Sequence, residues 1–430
     1  MLIRRSLLAS GLGLCSGLAP IAGAEAQGAA PTKRAVLNTY ADIAEAMYAD
    51  ARDGARALRE AVARLVAEPS EATLTAARQA WIAARPAYQQ TEAYRFGNPI
   101  VDEWEGRVNG WPLDEGLIDY VDTGSYGDTR DENPLFTANL IASTSITHAG
   151  ETIDVSAITP EVLTRLHEIG GIEANVTLGW HAIEFLLWGQ DLNGTGPGAG
   201  NRPWTDYARS ENATGGNNAR RAQYLTTVTA MLVSELEAMA ANWGRNGAAR
   251  RALTARGPDA GVAAIFTGLG SLSYGELAGE RMRLGLLLND PEEEHDCFSD
   301  NTHNSHFYNV VGMRAIYLGE YRGTAGRVVR GPAIGDFVRA ALPALDREMR
   351  QKLDATLAAF QALKTRAETV EAYDQMLGEG NAAGAATIQA GIDALLAQTR
   401  VIERIVAGLR LNISIERSDS LDAPNAVRRR

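Results

Sequence analysis

The sequence predicts an all-α protein made of two pseudo-symmetric helical domains, each like a four-helix bundle. Long stretches place apolar residues three and four positions apart, the spacing of one helix face. The second half repeats the plan of the first: Ala182-Ile183-Glu184-Phe185-Leu186-Leu187-Trp188-Gly189 is echoed by Met313-Arg314-Ala315-Ile316-Tyr317-Leu318-Gly319. Cys15 and Cys297 are the only cysteines, and Cys15 lies in a leader-like segment. The mature fold therefore has no internal disulfide and is held by an apolar core.

Residues 1–26 read as a signal peptide: Arg4 and Arg5, a short Leu/Ala/Gly stretch, then Ala24-Glu25-Ala26 in the small-x-small pattern of a cleavage site. The apolar stretch falls short of the ~20 residues of a membrane-spanning helix, and no later segment reaches that length without charges. Arg4-Arg5 also admits a twin-arginine reading. Leu12-Gly13-Leu14-Cys15 faintly resembles a lipoprotein site, but the bulky Leu14 argues against a lipid anchor there.

The N-terminal bundle is expected over residues 31–210. Leu37, Tyr40, Ile43 and Met47, then Leu58, Val62 and Leu65, mark one long helix face, and Pro69-Ser70 breaks it. A second helix follows through Ala77, Trp81, Ala84, Tyr88 and Tyr94, making an antiparallel hairpin. Residues 97–158 are rich in Gly, Asn, Asp, Trp and Pro and read as a long packed loop with short helices. GIEANVTLGWHAIEFLLWGQD is expected as one buried helix ending near Gly189, followed by Gly- and Asn-rich connections.

The C-terminal bundle is expected over residues 216–415. Helices are placed at about 217–243, 274–288, 307–321, 334–364 and 383–409, with the irregular run PEEEHDCFSDNTHNSH between the second and third. Residues 418–430 are expected as a flexible tail. The net charge of −12 makes nucleic acid an improbable partner and suits an exported acidic surface.

Three stretches carry residues with chemistry. In Gly179-Trp180-His181-Ala182-Ile183-Glu184, His181 and Glu184 are three apart, on one helix face. Both can then face one metal ion, as in carboxylate-rich bundles where the same spacing in reverse order supplies ligands. The alternative is that Glu184 pairs with a protonated His181 or a neighbouring arginine. The second stretch, Glu292 to His306, gathers His295, His303 and His306 with several carboxylates and Cys297. Such oxygen and imidazole donors suit iron, manganese or zinc, yet a capped helix start with solvated neighbours fits equally. In the third, Arg85, Tyr88, Glu92 and Arg95 form a polar stripe that reads as a buried ion-pair ladder or as support for His181 and Glu184.

Protease spacings fail. His167-Glu168 has Gly171 where a second zinc histidine belongs, and Glu184 is followed by Phe185 rather than histidine.

Together these stretches resemble the imelysin family. The likeness rests on G-x-H-x-x-E at Gly179, His181 and Glu184, on W-x-x-A-R-x-x-Y-x-x-T-E from Trp81 to Glu92, and on HDCFSDNTHNSH with the downstream Y-L-G-E-Y-R-G run. The resemblance implies paired helical bundles with the GxHxxE helix near their interface, a periplasmic or envelope-associated location, and a link to iron or haem acquisition. It also implies a peptidase class, for which the catalytic residues stay unknown. It carries over His181 and Glu184 as metal-site residues, with Glu92, Asp300 and His303 as additions.

Three functional readings follow. The first is an exported protein that binds a divalent or ferric ion, iron or zinc, and hands it to an inner- or outer-membrane iron-uptake component. The second is a metallopeptidase of the insulin-cleaving membrane protease type. The third is an envelope binding scaffold without metal.

Overall fold

Ser70 stops one helix and starts the next. Its hydroxyl accepts from the Thr73 backbone N–H, and the Thr73 hydroxyl accepts from the Ser70 N–H, so the orphan donors of the new helix are satisfied reciprocally. The two helices, α1 (Lys33–Ala67) and α2 (Glu71–Gln89), pack as the expected hairpin. The computed structural model describes residues 30–127, 132–323 and 326–427. The expected signal peptide over 1–26 lies outside the described residues.

The fold is all-α, with 66% of the chain helical and 4% in strands. After α2 come α3 (Pro99–Asn109), α4 (Gly179–Trp188), α5 (Asn218–Trp243), α6 (Pro258–Ser271), α7 (Thr302–Leu318), α8 (Pro343–Thr369) and α9 (Ala382–Gly408). The strands are two small antiparallel hairpins: β1 (Ser145–His148) pairs with β2 (Glu151–Asp154), and β3 (Glu320–Arg322) with β4 (Val328–Arg330). No described helix is long and apolar enough to cross a membrane.

One bundle joins α1, α2, α4 and α5; another joins α7, α8, α9 and the helical segment after α6. The expected boundary at 210–216 falls just before α5, which packs on α1 and α4. Helix α2 also packs on α7 and α1 on α6, and the apolar core runs continuously from Val36 to Ile405. Pro31–Arg430 accordingly cluster as one compact unit.

Three details differ from the sequence reading. The segment expected as one helix up to Gly189 becomes helical only from Gly179. Before it, Asn175 donates to the Ile169 carbonyl and Thr177 to the Leu163 carbonyl, bonds to earlier segments that hold these residues out of the helix. Next, α6 continues as a π-helix over Leu272–Arg283, a widening that apolar spacing does not signal. Finally, the expected tail forms two short helices, Asp419–Asp422 and Pro424–Val427, with Ser418 and Ser420 buried. Ser420 donates to the Gly279 carbonyl at 2.9 Å, and a side chain at Gly279 would collide with Ser418, so glycine admits the close approach.

Candidate metal centre

Gly179 sets the start of α4. Its φ is +82°, and a Cβ there would lie 2.4 Å from the Val108 carbonyl oxygen on α3. Only glycine combines that backbone with that approach. Two residues on, His181 points inward; His181 and Glu184 are both fully buried.

His181 Nδ1 lies 3.0 Å from Glu184 Oε2. The other oxygen, Oε1, accepts from the Ser299 N–H at 3.1 Å and the Ser299 hydroxyl at 2.7 Å. Glu184 therefore has both oxygens engaged and fixes the ring of His181. His181 Nε2 is left buried with no hydrogen-bond partner. An orphaned buried ring nitrogen costs free energy unless something binds it.

His295 stands against His181, ring centroids 4.7 Å apart. Its Nε2 faces the Asn109 amide at 3.3 Å, and its Nδ1 has no partner. Burial, aided by the Arg85 and Arg281 cations, holds both imidazoles well below their ordinary pKa, so both are neutral and carry lone pairs. Asp296 completes the group: one ligand atom from each of His181, His295 and Asp296 lies within 4.8 Å of the others.

Asp296 is ionised because the buried Arg85 guanidinium, 2.6 Å from Oδ1, offsets the cost of its burial and holds it below the usual carboxylate range. Its Oδ2 accepts from Asn301 at 3.0 Å and from Ser305. A carboxylate offers about four lone-pair directions, so Oδ1 keeps one beyond Arg85. Arg85 is itself placed by Asn109, whose amide oxygen accepts at 2.8 Å, and by the rings of Trp81, Tyr88 and Trp180. Two neutral imidazoles and one carboxylate are a donor set that fits iron(II), zinc or manganese.

The sequence-expected residues divide. His181 and Glu184 meet. Glu92 is one link removed: it pairs with Arg281 at 2.7 Å and reaches Asn109 at 3.4 Å, and Asn109 in turn reaches His295. Asp300 belongs instead to a group with Asp191 and Asp374. His303 Nε2 accepts from the Asn304 side-chain amide at 3.1 Å, and burial and Lys364 lower it to about 4. Cys297 is a buried free thiol whose pKa burial raises, outside the ligand group. Sequence reasoning passed over His295 and Asp296 in favour of Asp300 and His303. The adjacent His-Asp pair was visible, but in an irregular segment spacing does not tell which side chain faces α4.

A cavity of ≈ 620 Å³ reaches His295 from the surface between Glu105, Glu168, Glu173, Glu276, Glu280 and Glu293. Seven carboxylates line it against two arginines, Arg95 and Arg281. Trp111 also lines it, its ring centroid 5.1 Å from that of His181.

The family model for imelysin, in a peptidase class, matches residues 44–402. This chain belongs to the imelysin family. Among curated relatives, iron-regulated protein A of Synechococcus elongatus is 34% identical over 117 residues, 27% of this chain; the match spans about a third of that relative's length, 32%. Two crystal structures share the fold. One, assigned as an iron-regulated protein A precursor from Parabacteroides distasonis, has TM-score 0.60 at 17% identity and covers 89% of this chain and 96% of its own. The other, an imelysin-like protein from Psychrobacter arcticum, has TM-score 0.54 at 15% identity and covers 90% and 98%.

Proposed function

We propose that this imelysin-family protein binds a transition-metal ion at His181, His295 and Asp296 and serves iron uptake after export to the periplasm or cell envelope. The observation that carries the reading is the meeting of two buried, neutral imidazoles with the ionised Asp296, one ligand atom of each within 4.8 Å of the others. Glu184 acts as the orienting partner: its Oε2 against Nδ1 fixes the ring, and because burial, with Asp296 beside it, pushes this carboxyl well up, a bound cation would ionise it and draw the Nδ1 proton towards it. The acidic cavity supports the reading, since its field concentrates cations at the mouth leading to His295. Complete burial of His181 favours a bare ion over haem. The name of the cyanobacterial relative and the leader-like residues 1–26 support iron and export. The expected recipient is a membrane iron-uptake component.

A peptidase needs, beside its metal, a carboxylate able to take a proton from bound water. Glu184 has both oxygens occupied and Asp296 is held by Arg85, Asn301 and Ser305, so the geometry favours binding over hydrolysis. Equilibrium dialysis of metal-free protein against iron(II), zinc and manganese tests the proposal. One bound equivalent, lost in His181→Ala and His295→Ala, is the expected result. Equal uptake by wild type and both variants rejects it.

A further inference from the structure

Buried carboxylates in this protein usually hold an arginine. Asp119 is paired with Arg202 and Arg221, Glu92 with Arg281, Asp346 with Arg350 and Asp50 with Arg327. That is the common solution to the cost of removing a charge from water. Among the described residues, the cluster of Asp191, Asp300 and Asp374 lacks it.

Asp191, Asp300 and Asp374 each direct an oxygen to within 4.8 Å of the other two. They come from three distant segments: the turn after α4, the loop before α7, and the short helix Tyr373–Leu377 between α8 and α9. Asp374 is 1% exposed, and neither of its oxygens has a side-chain hydrogen-bond partner among the described residues. Asp300 Oδ1 is likewise unpartnered, as is Oε2 of Glu294, which is 1% exposed and close enough to feel the charges of Asp374 and Asp300. Among the described residues no lysine or arginine forms an ion pair with any of the four. Asp191 is held in place by the Asn193 backbone N–H and side-chain amide at 2.9 and 2.7 Å.

We propose that Asp191, Asp300 and Asp374, with Glu294 beside them, form a second cation site that takes a hard divalent ion of the calcium type. All its donors are carboxylate oxygens, with no ring nitrogen or thiolate, the set that suits calcium and disfavours soft transition metals. A divalent charge supplies what the missing arginine supplies elsewhere. It also ties the turn after α4 to the Tyr373–Leu377 helix, next to the close approach of Thr195 to Gly378. The loop before α7 serves both centres: Glu294 and Asp300 lie by this cluster, while His295 and Asp296 between them meet His181 and Ser299 bonds to Glu184.

The test is calcium titration of metal-free protein by calorimetry, with terbium luminescence, excited through the tyrosine next to Asp374, as a second probe of the same site. Wild type and His181→Ala are both expected to bind one calcium and gain thermal stability from it, so failure of the transition-metal reading leaves this result standing. Asp374→Asn and Asp300→Asn are expected to weaken calcium at least tenfold. Both are near-isosteric and remove an uncompensated charge, so the metal-free variants are expected to be at least as stable as wild type. No calcium or terbium binding by wild type, or an equal calcium-dependent gain in wild type and Asp374→Asn, overturns the proposal.

Discussion

Glu184 Oε2 lies 3.0 Å from His181 Nδ1 at the fully buried heart of the protein, and the opposite ring nitrogen has no partner. The spacing that places both residues on one face of α4 thus makes an orienting pair, with the open coordination direction on the far side of the ring. Replacing Glu184 by Gln keeps the size but puts an N–H donor in place of one of the two oxygens that face His181 Nδ1 and Ser299. Outer partners of this kind are worth roughly 10–100-fold in metal affinity, and a loss in that range is expected for iron(II) or zinc by competition with a chelating dye.

Gly179→Ala tests why the motif begins with glycine. The added Cβ meets the Val108 carbonyl at 2.4 Å with the backbone at φ +82°. A cost of about 1–3 kcal/mol is expected in urea unfolding, together with weaker metal binding as His181 is displaced. Wild-type stability in this variant would contradict the account of α4.

Arg85→Met leaves Asp296 as a buried charge without its cation, and about 3–5 kcal/mol of stability is expected to be lost. Adding Asp296→Leu removes the stranded charge and is expected to recover much of that loss. Metal affinity is not expected to return, because the double variant lacks the carboxylate ligand. Denaturant midpoints and metal uptake measured on the same samples separate the two effects.

Stability of the metal-free protein is expected to peak in mildly acidic solution. Burial pushes Glu105 and Glu292 up to about 7 and Glu115 to about 8. A carboxyl with a raised folded pKa is destabilising when ionised, so these three favour the fold increasingly as pH falls from 8 towards 5. Burial lowers His167 and His303 to about 4 and His306 to about 3. For these the unfolded chain binds protons first, so stability is lost as pH falls below the unfolded value of about 6.5 and on through the folded values. Melting midpoints from pH 4 to 8 check this; a curve that climbs steadily to pH 8 counts against it.

The helices were legible where local chemistry decides them. The Pro69-Ser70 break, the hairpin of α1 and α2, and the span of α5 all follow from turn residues and apolar spacing. The true start of α4 was not, because Asn175 and Thr177 bond to carbonyls some six and fourteen residues away, a tertiary outcome. In the site, His181 and Glu184 were readable because helix geometry fixes how they face. His295 and Asp296 were not distinguishable from Asp300 and His303, since a loop has no period. Only the packing of α7 against α2, which brings Asp296 to Arg85, sends one pair to His181 and Asp300 to another cluster.

The central claim is that His181 and His295 hold one ion, and anomalous diffraction from crystals soaked in zinc or iron(II) tests it most directly. One strong peak bonded to both imidazoles, absent in His295→Ala crystals soaked identically, is the expected result. A metal-soaked crystal with full occupancy elsewhere and no peak between His181 and His295 would contradict it.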